Sequence, residues 1–121
     1  MNCPTVLFPI AHRAISSSLA RFGYEVLTAS DKTEALALLR ATRCITVLVA
    51  DVDADGLTLA REARTFLPNL GVIYTAMAPH RVSERETVAD APILRSPYGA
   101  HQLAGVITGL GRRVLDDPLA A

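Results

Sequence analysis

The sequence predicts an α/β domain built on a doubly wound, five-stranded parallel sheet, and two observations carry that prediction. Short apolar stretches of strand length alternate along the whole chain with amphipathic stretches of helical length. The third short stretch, ITVLVA at 45–50, is apolar without a period of two and rich in β-branched residues. A strand covered by helices on both faces has this composition, whereas a half-exposed strand alternates.

The first strand is expected over 5–10 (TVLFPI) and should stop near Pro9, which has no backbone N–H to donate. Ile15, Leu19 and Phe22 then recur at helical spacing, predicting a helix over 12–22 closed by Gly23. Residues 24–29 (YEVLTA) read as the second strand. Asp31 followed by Glu34 has the spacing of a capping box ahead of a helix over 33–40. The third strand ends at Asp51. Gly56 opens a helix over 57–66, which stops before Pro68. Gly71–Ala76 (GVIYTA) is the fourth strand. The polar stretch 79–91 holds a weak helical signal at 83–89, and 92–95 reads as a short fifth strand. Leu103, Val106, Ile107, Leu110 and Val114 mark a final amphipathic helix.

With 121 residues, half of them hydrophobic, the chain suits one domain with one core. That domain is expected over 1–115, with 116–121 as a flexible tail. Twelve basic and twelve acidic residues cancel, so no charge excess points to nucleic acid. No apolar run reaches the roughly 20 residues that span a bilayer, and no signal peptide opens the chain, which predicts a cytoplasmic protein. Cys3 and Cys44 suggest neither a disulfide framework nor a zinc site; Cys44 is expected as a packed, reduced thiol.

In open parallel sheets, ligands bind beyond the carboxyl ends of the strands. The residues to inspect are therefore those at 9–12, 51–55, 75–77 and 95–98. His12, His80 and His101 read as surface or capping residues. No nucleophile paired with a base is visible, which disfavours an enzyme on this architecture.

Taken in order, several segments resemble the CheY-like receiver domains of response regulators, which share the flavodoxin-like arrangement. These are FGYEVLTASDKTEALALL, VLVAD, DGLTLAREAR, VIYTA, and APILRSPY followed by HQLAGVI. The resemblance covers essentially the whole chain. It implies that Asp51 stands at the phosphoacceptor position and Thr75 at the switch position that contacts the phosphoryl group. Ser96 stands where the family carries a phosphate-pairing lysine, and the Ser96–Pro97 bond is implied to be cis. The family's contact surface is built from the fourth helix, fifth strand and last helix, and here includes Tyr98, His101 and Leu103. The implied partners are a histidine kinase, a phosphotransfer protein or another signalling protein, or a second copy of the chain through that same surface.

The chain departs from the family pattern where charge matters most. Two acids at the end of the first strand should help hold Mg²⁺, but the sequence there is PIAH, and the first acidic residue is Glu25. The only lysine, Lys32, begins the second helix, where it is expected to be far from Asp51. Arg95 adjoins the lysine position, but strand alternation points it to the other face. Only VDAD separates Asp51 from Gly56, shorter than the family loop, and Ile93 replaces a switching aromatic. Phosphoryl transfer depends on positioning and charge neutralisation. These losses therefore predict an atypical receiver that acts through protein contacts, with weak or no conventional Mg²⁺-dependent phosphorylation. The alternative is an active receiver phosphorylated on Asp51.

The same loop also fits a calcium pattern: Asp51, Asp53, Asp55, Gly56 and Glu62 match D-x-D-x-D-G-x₅-E. The preceding segment is a buried strand rather than a helix, which argues against an EF-hand. A milder version has Asp53 or Asp55 joining Asp51 in place of the missing metal acids.

Overall fold

The structure is a computed structural model, and it describes residues 5–9, 12–42 and 44–116. Five parallel strands form one sheet: β1 (Thr5–Pro9), β2 (Glu25–Ala29), β3 (Ile45–Asp51), β4 (Gly71–Ala76) and β5 (Ile93–Arg95). Their order is β2-β1-β3-β4-β5, the doubly wound order, so the chain reverses direction across the sheet between β1 and β3. As expected, β1 ends at Pro9.

Four α-helices accompany the sheet: α1 (Arg13–Ala20), α2 (Lys32–Ala41), α3 (Gly56–Phe66) and α4 (Ala100–Asp116). Leu19 of α1 and Leu103, Ala104 and Ile107 of α4 pack with Val6, Phe8, Val47, Val49 and Ile73 on one face. Ala35 and Leu39 of α2 and Leu59, Ala60 and Ala63 of α3 pack with Leu7, Leu48, Ala50, Val72 and Tyr74 on the other. Adjacent residues of β1, β3 and β4 thus feed opposite layers, which is why the central parts of these strands are continuously apolar.

Asp31 caps α2 as its spacing predicts: its Oδ1 accepts the Glu34 N–H at 2.8 Å, and Glu34 Oε1 accepts the Ser30 N–H at 2.6 Å. The first helix is shorter than expected. It ends at Ala20, and Phe22 lies in the turn behind it, half exposed. Gly23, at φ 91°, adopts the left-handed backbone that closes this turn. Cys44 is exposed rather than packed, while Cys3 and the tail at 117–121 lie outside the described residues.

The expected fourth helix does not form. Residues between β4 and β5 make two 3₁₀ turns, Pro79–Arg81 and Glu84–Glu86. This stretch lacks an apolar stripe to bury, so side chains of the neighbouring elements hold its backbone instead. The Val88 N–H donates to the buried Tyr74 Oη at 3.0 Å, and Arg61 Nη2 donates to the Glu86 carbonyl at 3.2 Å. A contact surface that includes a fourth helix is therefore not available here. Tyr98 and Leu103, expected on that surface, are buried in the core; only His101 of the three is exposed.

Candidate functional site

The site lies at the carboxyl ends of β1, β3 and β4, beside the reversal of the strand order. Asp51 is the last residue of β3, directly opposite Thr75 in the β3–β4 register. Alternation along both strands sends the two side chains toward the layer that contains α1 and α4. Arg95 falls on the opposite alternation, is exposed, and makes no ion pair among the described residues. Ser96 is half-buried and its N–H donates to the Ala76 carbonyl at 2.9 Å. The Ser96–Pro97 bond is cis.

Asp51 has company that the sequence reading did not assign to it. His12 stands at the N-cap of α1 but makes no capping hydrogen bond with its side chain. Its imidazole instead reaches across the strand ends, with Nε2 3.4 Å from Asp51 Oδ2. This is ion-pair distance, longer than a usual N–H···O bond. The side chains are 15% and 18% exposed, so water screens the contact only in part. On its far side, His12 Nδ1 lies 2.7 Å from the Tyr98 hydroxyl. The Phe8 and Tyr98 rings meet the imidazole edge-on, with centroids at 5.9 and 5.6 Å. Burial pushes the Tyr98 phenol above its ordinary pKa, and the Asp51 charge adds to that push, so the hydroxyl keeps its proton.

The other Asp51 oxygen is also engaged: Oδ1 accepts the Asp53 N–H at 3.0 Å. Asp53 turns its own carboxylate toward β4, where Oδ2 accepts the Met77 N–H at 3.0 Å. The short loop is a 3₁₀ turn, Val52–Ala54, followed by Asp55 in the left-handed region at φ 62°. Gly56 packs so tightly against the strand end that a Cβ there would fall on the Asp51 carbonyl.

Thr75 is fully buried, and its Oγ1 has no hydrogen-bond partner among the described residues. A buried hydroxyl without a partner costs folding energy, so its presence at a strand end favours a role toward something that arrives at the site.

Lys32 does not reach Asp51. It lines, with Asp51, a pocket of about 110 Å³ that also includes Phe8, Pro9, Ser30, Asp31 and Leu59. Its ammonium pairs with Glu62 Oε1 at 3.3 Å, however, and not with Asp51.

The residues present do not fit Mg²⁺. That ion takes oxygen ligands in strict octahedral geometry, with carboxylates to hold it. Here an imidazole occupies the β1 end that faces Asp51. Among the described residues, no three His, Cys, Asp or Glu side chains converge as a metal site. The calcium-pattern residues do not converge either. Asp51 and Asp53 turn to backbone N–H groups, Asp55 caps nothing with its side chain, and Glu62 faces Lys32. The missed residue is His12. Its signal was positional: it follows β1 at the strand end where a partner for Asp51 has to stand.

No protein-family model matches the chain, and no curated protein matches it. Solved structures do. A response regulator receiver protein from Sinorhizobium medicae WSM419 is 25% identical, with 89% of this chain and 94% of that one covered at a TM-score of 0.74. A response regulator receiver domain protein from Clostridium thermocellum is 25% identical, with 93% and 98% covered at a TM-score of 0.78. The chemotaxis response regulator CheY4 of Vibrio cholerae, 23% identical, matches in fold over 90% and 99% at 0.78. No helix among the described residues is long and apolar enough to cross a membrane. The strand order and these likenesses agree with the reading of the segments: the chain carries the CheY-like receiver fold of response regulators.

Proposed function

We propose that this chain is an atypical receiver of two-component signal transduction that acts through protein–protein contacts, with weak or no conventional Mg²⁺-dependent phosphorylation. One observation carries the reading: His12 Nε2 stands 3.4 Å from Asp51 Oδ2, where a receiver needs acids to gather a metal. An imidazole there offers the cation no oxygen ligand, and in its protonated form it repels the cation. Without the cation, the charge that develops on a transferring phosphoryl group loses its main neutraliser. The partners we assign are signalling proteins of the histidine-kinase or phosphotransfer class, or a second copy of the chain. They would meet the exposed side of β5 and α4 around His101.

A second reading, an active receiver phosphorylated on Asp51, is favoured by one observation, the unpartnered Thr75 hydroxyl opposite Asp51. Intact-mass measurement separates the two. The protein is incubated with a small phosphodonor and Mg²⁺. The atypical reading expects no adduct above that of an Asp51→Asn control. A stoichiometric, Mg²⁺-dependent phosphate absent from Asp51→Asn establishes the active receiver instead.

A further inference from the structure

We propose that His12 couples the Asp51 carboxylate to the Tyr98 hydroxyl, so that neutralising or occupying Asp51 shifts the segment that runs from Tyr98 into α4. This rests on the reading of Asp51 as the position where a signal arrives, and it names how the signal leaves.

The hydrogen inventory sets the direction. An ionised Asp51 can only accept, so the facing Nε2 of His12 carries a proton. In the neutral imidazole, Nδ1 then accepts from the Tyr98 hydroxyl; in the imidazolium, Nδ1 donates to it. In both forms the two ring nitrogens have specified partners on opposite sides. The Phe8 and Tyr98 ring edges restrict the imidazole from turning to other ones. Loss of the negative charge on Asp51 weakens the attraction that holds Nε2, and the contact with Tyr98 must readjust.

Tyr98 is placed to pass that readjustment on. The residue is 8% exposed and packs in one cluster with Leu103, Ala104 and Phe8. Next to it, the Gly99 N–H donates to Gln102 Oε1 at 2.7 Å, and the Gln102 and Leu103 N–H groups donate to the Gly99 carbonyl. The hydroxyl thus sits on a segment whose backbone is tied to the first turn of α4. A route along β4 and β5 has no comparable connection. Thr75 Oγ1 has no partner among the described residues, and Ile93 offers no polar group. Coupling through His12 is reciprocal, so removal of the Tyr98 hydroxyl must also change Asp51.

The test is a double-mutant cycle on the full chain, read by NMR with neither phosphodonor nor metal present. Tyr98→Phe keeps the buried ring and removes only the hydroxyl. Asp51→Asn is expected to move the His12 ring-nitrogen shifts and the amides of residues 98–103. In the Tyr98→Phe background, its effect on amides 99–103 is expected to fall to what the direct field of the lost charge leaves. Tyr98→Phe alone is expected to move the Asp51 carboxyl carbon. Equal Asp51→Asn perturbations of 99–103 with and without the hydroxyl, or none at all, overturn the coupling. The mass experiment above tests the atypical reading separately, because it detects an adduct whatever links Asp51 to α4.

Discussion

His12 and Asp51 face each other across the carboxyl ends of β1 and β3, Nε2 to Oδ2 at 3.4 Å. This pair decides what the site can do. Asp51 has one oxygen on a backbone N–H and the other against an imidazole, so its carboxylate is already accommodated by the protein.

Replacement of His12 by aspartate should reverse that state. His12→Asp sets a second carboxylate beside Asp51, and hard cations favour such a pair. We expect Mn²⁺ or Mg²⁺ binding at roughly millimolar concentration, the weak end of carboxylate sites. The variant also loses the hydrogen bond to Tyr98 and brings two like charges together, for a loss of about 1–3 kcal/mol of stability without metal. Mn²⁺-induced NMR relaxation and thermal melts with and without Mg²⁺ check both expectations. A variant that melts identically in the two conditions would show that His12 is not what excludes the ion.

Thr75 gives a prediction of the opposite sign. Its buried Oγ1 lacks a partner among the described residues, so Thr75→Val replaces an unsatisfied hydroxyl with a methyl of similar shape. The folded state should be unharmed or stabilised by about 1 kcal/mol, measured by urea unfolding. A loss larger than that would mean the hydroxyl has a partner, and would remove the support it gives to the active-receiver reading.

Gly56→Ala tests how tightly the short loop is built. The added Cβ meets the Asp51 carbonyl, which is backbone and cannot swing aside. The expected cost is about 1–3 kcal/mol, the range for forcing extra atoms into packed space. Because the displaced group belongs to Asp51 itself, the variant should also move the His12 resonances. An unchanged melting temperature would contradict this close approach.

The strands and the four helices were legible because burial on both faces leaves continuous apolar runs such as 45–50, and helices with one buried face leave a 3.6-residue period. Asp51 and Thr75 were legible as strand-end residues, which are local features, whereas the cis bond before Pro97 was implied by the resemblance to receiver domains. The segment at 79–91 misled because a weak helical period says nothing about which side chains reach over. Tyr74 and Arg61, distant in sequence, take up its backbone groups. Tyr98 was placed on the surface because the resemblance assigns it to the family's contact face, and packing with Phe8 and Leu103 buries it. His12 was misplaced because its distance to Asp51 depends on how β1 and β3 are ordered in space, which no local pattern encodes.

The buried phenols make alkaline stability a readout of this packing. Burial raises the pKa of Tyr98 and of Tyr74 above the ordinary value of 10; for Tyr98 the Asp51 charge adds to the rise. Above pH 10 the unfolded chain releases these protons while the folded chain retains them. The unfolded state then binds fewer protons, so stability falls as pH increases. Below pH 10 both states hold the protons, and the contribution is fully present. Each phenol that ionises only on unfolding steepens the decline by about 1.4 kcal/mol per pH unit. Tyr98→Phe removes one such proton and should flatten the decline by about that amount, at the expense of the bond to His12 at neutral pH. Urea unfolding between pH 9 and pH 11 (roughly one unit either side of an ordinary phenol), followed by tyrosinate absorbance, checks it. A Tyr98→Phe slope equal to that of the parent would show that the Tyr98 hydroxyl titrates in the folded protein and is not held neutral beside His12.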